Sequence, residues 1–239
     1  MARAVRTTAP DEEALLALLR VIASGGDLNV ERLLESSPAL TRATLRGGAT
    51  RDDPRTYWLE EIRHNVYAGD TALHVAGAAC RPTTTTSLIA RGADVGARNR
   101  RGAEPLHYAA DGYTPDPGAQ RAVIEHLISA GADPNARDKS GVAPLHRAVR
   151  RRSSQAVRGL LDNGADLRLG NKQGSTPLHL AVQNTGASRS GTPQAKEQQR
   201  EIITLLLDRG AKASDTDAKG KTVAAAATSE WIRELLDTR

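Results

Sequence analysis

A nine-residue phrase that returns along the chain constrains its fold more than any other feature. Its five copies are GDTALHVAG from Gly69, GAEPLHYAA from Gly102, GVAPLHRAV from Gly141, GSTPLHLAV from Gly174 and GKTVAAAAT from Gly220. A second phrase, Gly-Ala-Asp in most copies, starts ten residues before each of the last four, at Gly92, Gly131, Gly164 and Gly210. The opening glycines stand 33, 39, 33 and 46 residues apart, so the long intervals contain insertions within one regular repeat.

Each repeat carries the pattern of two helices. Apolar residues three and four positions apart precede the second phrase, and they are Ile124, Leu127, Ile128, Val157, Leu160, Leu161, Ile202, Leu205 and Leu206. The glycine of the second phrase falls where a helix ends on a left-handed residue. Pro105, Pro144 and Pro177 stand where the next helix would begin, since the first helical residue needs no N–H. Each unit is therefore predicted to be a turn, a short inner helix and a longer outer helix, stacked on its neighbours.

The TPLH and Gly-Ala-Asp phrases at a 33-residue period resemble the ankyrin-repeat family, strongly from about Gly69 to Leu236 and weakly before that. The resemblance implies a mainly α fold, an ankyrin-repeat α-solenoid of β-turn fingers and antiparallel helix pairs. About five repeats are expected, after a degenerate N-terminal helix pair. We expect a single domain over residues 1–239, made of a helical cap (1–40), an extended finger insertion (41–68), four repeats (69–216) and a C-terminal capping repeat (217–239).

The two ends read as caps. Glu13 to Ala23 and Val30 to Glu35 form the predicted first helix pair, with Leu33 and Leu34 facing inward. The last pair is predicted from Ala224 to Ala227 and then around Trp231, Leu235 and Leu236, with Glu230, Arg233 and Glu234 outward. Such a polar outer side keeps the end of a solenoid from exposing its core.

Composition fits this architecture and narrows the class of protein. The chain has no Phe and only 3% aromatic residues, so small aliphatic side chains must fill thin layers between helices. A single cysteine, Cys80, excludes an internal disulfide. The sequence shows neither the apolar stretch of a secretory signal nor one long enough to span a membrane. We expect a cytoplasmic monomer without a membrane partner.

Three insertions interrupt the repeat. About 21 extra residues lie between Pro38 and Gly69, and they carry the rings of Tyr57, Trp58 and Tyr67. Either this enlarged finger presents its rings to a partner, or the rings fold back and seal the first repeat. The other insertions, at 112–118 with Tyr113 and at 185–197, lengthen the turn between the inner and outer helix, and each is either a functional loop or a neutral insertion.

Candidate chemistry centres on four histidines, His74, His107, His146 and His179. Equivalent residues of stacked repeats lie on the order of 10 Å apart, whereas zinc needs ligands at about 2 Å, so we predict no metal site. The resemblance implies that each histidine bonds backbone groups of the adjoining turn and ties the repeats together. Glu104 and Ala143 replace the usual Thr, so the sequence does not determine whether the hydrogen bonds around the histidine are complete in those two repeats.

No catalytic motif stands out. Cys80 is interpreted as a packing residue, and the carboxylates of Asp52, Asp53, Glu60 and Glu61 as a solvated surface without a partner acid or base. No loop of the sequence has the glycine pattern that cradles a phosphate. We therefore predict a protein that is not an enzyme and has no cofactor.

Basic residues gather on the side that the resemblance implies for a binding surface, made of the finger tips and the exposed sides of the inner helices. Candidate partner-binding residues are Arg100, Arg101, Lys139, Arg150, Arg151 and Lys172, with Tyr67, Tyr113 and Trp58 as aromatic contacts. Acidic residues favour the outer helices, and the chain has a net charge of +5. The main hypothesis is a scaffold that binds an acidic segment of a protein partner, with charge steering the encounter. The alternatives are finger tips that are merely soluble, nucleic-acid binding on the same surface, and an enzyme.

Overall fold

The computed structural model describes residues 12–50, 55–112, 114, 116–183 and 192–238. Its helices in these ranges are α1 (Glu12–Ser24), α2 (Asp27–Ser36), α3 (Ala72–Ala78), α4 (Pro82–Ala90), α5 (Pro105–Ala110), α6 (Pro117–Ser129), α7 (Pro144–Arg151), α8 (Ser154–Asp162), α9 (Pro177–Ala181), α10 (Pro193–Asp208), α11 (Val223–Ala226) and α12 (Glu230–Asp237). A 3₁₀ helix (Pro38–Thr41) follows α2, and a hairpin of two short antiparallel strands, β1 (Trp58–Leu59) and β2 (His64–Asn65), precedes α3.

Consecutive helices form pairs, and the pairs stack in chain order. The inner helices α1, α3, α5, α7, α9 and α11 each pack on the next, and the outer helices α2, α4, α6, α8 and α10 do the same. One continuous cluster of Leu, Ile, Val and Ala side chains runs through the stack. This arrangement confirms the predicted mainly α solenoid, because every unit buries its apolar face against its neighbours.

Helices begin and end at the proline and glycine residues of the repeat. Pro105 opens α5, as Pro144 and Pro177 open their helices, which confirms their predicted place. Gly92 follows the end of α4 with φ +83°, and its N–H donates to Ile89 O at 2.9 Å. The next N–H, of Ala93, reaches back to Leu88 O at 2.9 Å. This pair of hydrogen bonds needs a residue in the left-handed conformation, which glycine adopts without strain.

Both predicted end pairs form helices. In α2, Leu34 is fully buried whereas Leu33 is only half-buried. In α12 the fully inward side chains are Ile232 and Leu236, and Trp231 is half-buried. The outward positions Glu230, Arg233 and Glu234 are exposed, as the sequence predicts.

The first insertion folds into the hairpin. Trp58 pairs with Asn65 and Leu59 with His64, while Val66 N–H donates to Tyr57 O at 2.9 Å. Leu59, Ile62 and Val66 are buried at 3%, 6% and 0% exposure and join the core. The insertion is therefore part of the packed structure of the first repeat.

The other two insertions lie between an inner and an outer helix. The Asp116 carboxylate caps α6 by accepting from the N–H groups of Gly118 and Ala119, and Tyr113 lies outside the described residues. The prediction that 185–197 only lengthens a turn is wrong for its last part, because α10 already begins at Pro193. There the Thr192 side chain accepts from Ala195 N–H, so a capped, proline-led start extends the helix backwards. Residues 185–191 lie outside the described residues.

Across the described ranges, none of the helices combines the length and the apolar composition that crossing a lipid bilayer requires.

We predict that Gly77→Ala destabilises the stack. A Cβ at Gly77 would lie 2.8 Å from Pro105 O, so α3 and α5 would have to move apart. Overpacking of this kind costs about 1–3 kcal/mol, more than the roughly 0.5–1 kcal/mol that alanine gains over glycine in a helix. Urea denaturation measures the loss.

Gly96→Ala is the matched control, since its Cβ would meet only Asp94 Oδ1 at 3.6 Å. Its free energy of unfolding should stay within about 0.5 kcal/mol of the wild type. A Gly77 variant as stable as the control would show that α3 and α5 are not in tight contact.

Candidate functional site

The four histidines of the inner helices connect successive repeats. Each Nε2 lies at hydrogen-bond distance from a backbone carbonyl of the following repeat, His74 at 3.1 Å from Ala103 O, His107 at 3.0 Å from Val142 O, His146 at 3.1 Å from Ser175 O and His179 at 3.2 Å from Lys221 O. All four rings are buried. The predicted structural role of these residues is confirmed.

The same contacts fix the tautomer of each ring. Nδ1 accepts at 3.2 Å from the backbone N–H three residues earlier, that of Thr71, Glu104, Ala143 or Thr176. Nε2 must then carry the proton that it donates, so the rings are neutral. The backbone bond persists at Glu104 and Ala143, so the missing threonine removes only a hydroxyl contact. Burial lowers the pKa of His107 to about 3 and also lowers the pKa of His74 and His146.

The finger tips are joined through their main chains. Arg100 N–H donates to Ala68 O, Lys139 N–H to Arg101 O, Lys172 N–H to Ser140 O and Ala218 N–H to Gln173 O, at 2.7–3.3 Å. Within each of the last four fingers an Asn or Asp side chain accepts two backbone N–H groups, as Asp138 does from Ser140 at 2.8 Å and Val142 at 3.0 Å. These bonds hold the tips in a continuous row.

Four of the candidate cations stand on this row of tips. Lys139 and Lys172 are exposed, and no acidic side chain of the described residues pairs with either. Arg100 and Arg101 instead pack on Tyr67, with guanidinium carbons 5.2 and 4.7 Å from the ring centroid. Arg100 also donates to Ala49 O in the first insertion. Arg100 therefore holds the enlarged finger in place as well as carrying charge.

The candidate cations of α7 differ in their surroundings. Arg150 is exposed, and within the described ranges it forms no ion pair. Arg151 lies 3.4 Å from Asp111, whose carboxylate is also 3.9 Å from Arg147. Arg147 is itself bound to Asp138 at 3.0 Å. Desolvation raises the pKa of Asp111, although both arginines favour its charged form.

The hairpin lies against the inner helices of the first two repeats. The His64 ring meets Tyr108 edge-on at 4.6 Å between centroids, and Tyr108 is only 1% exposed. Desolvation, with a smaller contribution from Arg147, lowers the pKa of His64 to about 4, so this ring is neutral. Tyr67 is half-buried, whereas Trp58 is 38% exposed and bonds Glu60 through its indole N–H.

Two adjoining depressions mark the surface where the hairpin meets the inner helices. The first, which we call the finger cleft, has a volume of about 180 Å³ and is lined by Trp58, Arg63, His64, Asn65, Tyr67, Asn99, Arg101, Ala103, Tyr108, Asp111 and Arg147. The second, the groove cleft, has about 320 Å³ and is lined by Arg101, Asp111, Asp138, Lys139, Ser140, Val142, Arg147 and Arg150. Arg101, Asp111 and Arg147 line both, so the two clefts are continuous.

Several cations on the outer side of the stack are paired. Asp162 accepts from Arg121 at 3.1 Å and from Arg209 at 2.7 Å, which links α6, α8 and the end of α10. The Arg209 bond is the largest cause of a lowered pKa at Asp162. Arg158 pairs with Glu201 at 3.1 Å in the same way. These acids therefore neutralise the cations that they contact, whereas Arg32 on α2 and Lys196 on α10 are exposed and form no ion pair within the described ranges.

The remaining candidate groups are Cys80 and the carboxylates of the first insertion. Cys80 is 4% exposed, and burial raises the pKa of its thiol to about 12, which suits a packing residue. Glu60 and Glu61 are exposed, while Asp52 and Asp53 lie outside the described residues. In the part of the chain that the structure describes, no three His, Cys, Asp or Glu side chains converge as metal ligands would.

Several residues of this surface were not identified from the sequence. Asn99, Asp138, Asn171 and Asp217 all stand three positions before an opening glycine, so their recurrence was visible in the repeat. His64, Asn65 and Asp111 lie in or beside insertions and have no equivalent in other repeats. No sequence pattern indicates that they meet.

Comparison with known proteins agrees with the geometry. A family model described as ankyrin repeats (3 copies) matches residues 118–217. These residues run from α6 to the finger before α11. A search of curated proteins finds no match to the chain.

We predict that His107→Gln makes the stability of the fold less dependent on pH. The folded ring accepts a proton only near pH 3, whereas an unfolded histidine does so near pH 6.5. The unfolded state thus binds more protons, and stability falls as the pH decreases from about 6.5 towards 3 by about 1.4 kcal/mol per pH unit for each such proton. Urea unfolding between pH 7 and pH 5 should show a shallower slope in the variant.

At pH 7 the same variant should lose about 1–3 kcal/mol, because the bond between two repeats is weakened. A slope identical to that of the wild type would contradict the neutral, repeat-linking role of His107.

Proposed function

Because the chain is an ankyrin-repeat protein, we propose that it binds an acidic segment of a protein partner along the groove cleft and the finger tips, without catalysing a reaction. Ankyrin repeats are generally protein-protein interaction modules and typically serve as non-catalytic scaffolds. The partner would be recognised by its charge and by its fit to a surface that the repeats hold rigid.

The cluster of unpaired cations on the finger tips and α7 carries this proposal. On the outer side, Arg121, Arg158 and Arg209 each contact a carboxylate. On the inner side, Lys139, Arg150 and Lys172 are exposed and have no acidic partner among the described residues. Like charges on one surface repel each other, and an acidic ligand removes that repulsion on binding.

The rigidity of the platform supports binding by the same residues. The main-chain bonds between Lys139 and Arg101 and between Lys172 and Ser140 fix the spacing of the tips. Arg147 is fixed by Asp138 beneath Arg150. A surface ordered before binding loses little conformational entropy when a partner docks, so more of the contact energy remains as affinity.

Nucleic acid is the other polyanion that a basic surface accepts. Single-stranded chains bind through bases stacked on aromatic faces. Here Tyr108 is buried and Tyr67 is covered by Arg100 and Arg101. Of the rings described on this side, Trp58 offers the most exposed face, at 38%. These observations favour an acidic peptide over a nucleic acid.

We predict that the triple variant Lys139→Glu, Arg150→Glu and Lys172→Glu weakens binding of acidic peptides by at least about tenfold. Three attractive charges become repulsive, at a cost of roughly 0.5–1 kcal/mol each at an exposed surface. Fluorescence anisotropy with labelled peptides rich in Asp and Glu measures the Kd. Arg100 and Arg151 are left intact because they also contact Ala49 and Asp111 within the fold.

The matched control reverses Arg32, Lys196 and Lys212, which are exposed on α2, on α10 and just after α10. It changes the net charge equally and should alter the Kd by less than about threefold. If both variants weaken peptide binding equally, the effect comes from net charge alone, and the proposed binding surface is wrong. A single-stranded oligonucleotide that binds more tightly than the peptides, with log K falling by about 0.7 per contacted phosphate against log salt, would favour the alternative.

A further inference from the structure

The finger cleft differs chemically from the groove cleft that it continues. The hairpin residues Trp58, His64, Asn65 and Tyr67 form one wall, and the other wall includes Arg101, Tyr108, Asp111 and Arg147. The hairpin is anchored in the core by Leu59 and Val66, so this wall stands on a packed base. An extended chain that follows the groove cleft towards the first repeat meets the hairpin.

Two polar atoms of this wall lack a hydrogen-bond partner within the described residues. They are His64 Nε2 and Asn65 Oδ1, and both are shielded from solvent. Buried polar atoms nearly always have a partner, and leaving one unbonded costs about 1–3 kcal/mol. The neighbouring residues of the hairpin instead satisfy their main-chain groups, as Val66 N–H does with Tyr57 O. Both residues line the finger cleft, so a rotation of either side chain would bring its unbonded atom to a ligand there.

The opposite wall supplies positive charge. The Arg101 side chain is exposed, has no acidic partner among the described residues, and is held over Tyr67 at 4.7 Å. Arg147 is held by Asp138 at 3.0 Å and by Asp111 at 3.9 Å. Lys139 and Arg150 add charge at the entrance from the groove cleft. A carboxylate suits this wall, because arginine binds it through paired N–H groups.

We infer that the finger cleft receives the C-terminal residue of the bound segment, with its carboxylate on Arg101 and its last amide N–H on Asn65 Oδ1. This inference rests on the function proposed above. A chain terminus is the one place where a polypeptide carries a carboxylate beside an N–H donor and needs no space beyond it. An acidic side chain in mid-segment would require the chain to continue through the hairpin. Capture of a terminal carboxylate is a recurring mode of peptide recognition.

The test compares two forms of one set of acidic peptides with a randomised last residue. One form ends in a free carboxylate and the other in a carboxamide, and fluorescein at the N-terminus reports binding to the full chain by anisotropy. We expect the free-acid form to bind with a Kd about tenfold lower, since the amide removes the charge-assisted bond. Arg101→Gln should bring this ratio close to one. Asn65→Leu should instead weaken both forms alike and keep the ratio, because the last amide N–H is present in each.

Arg32→Gln on the outer helix α2 is the matched control and should keep the tenfold ratio. Thermal unfolding checks that Asn65→Leu and Arg101→Gln remain folded. Equal Kd values for the two peptide forms in the wild type would overturn the inference while leaving the proposed function intact. A ratio that survives Arg101→Gln, or binding of both forms that Asn65→Leu leaves unchanged, would also overturn it. If neither form binds, the proposed function fails together with the inference.

Discussion

The bond from a buried, neutral histidine to the backbone of the next repeat is the contact on which the rest of the structure depends. It joins His74 to Ala103 and, three repeats later, His179 to Lys221, always from the inner helix to the base of the following finger. Because the acceptor is a main-chain carbonyl, the bond fixes the position of a finger without specifying its side chains. The tips are thereby free to vary in sequence, and their main-chain bonds, such as that from Lys139 to Arg101, preserve their spacing. Main-chain and histidine atoms carry the stability, so the side chains of the tips are left for the proposed recognition.

Much of this fold could be predicted from the sequence because the physical causes are local. A proline that lacks its N–H, a glycine with positive φ and apolar residues three to four positions apart each determine structure within one turn of helix. The histidine network also survives the loss of threonine at Glu104 and Ala143, since the bond to Nδ1 comes from the backbone. The start of α10 was misplaced because a loop-like composition outweighed one capping residue, Thr192.

The surface residues were harder to predict because their roles depend on contacts between distant segments. Arg100 and Arg101 occupy equivalent tip positions to Lys139 and Ser140, yet the enlarged finger places Tyr67 beside the arginines. Arg151 and Arg150 are adjacent in α7, but Asp111 approaches only the first of them. The sequence identified the clustering of charge, whereas the pairing of each charge required the fold. His64 is the clearest case, since nothing near it in the chain indicates its contact with Tyr108.

The position of the hairpin follows from the architecture of the stack. The insertion lies between the N-terminal helix pair and α3, and it buries Leu59, Ile62 and Val66 in the core. The same insertion turns a surface that is open at both ends into one with a wall at the first repeat. His64 and Asn65 leave polar atoms unbonded at that wall. The hairpin therefore makes the two ends of the groove chemically different. In the proposed complex, a partner that lies along Lys172, Lys139 and Arg101 would bind in one orientation, which a uniform row of basic tips would not impose.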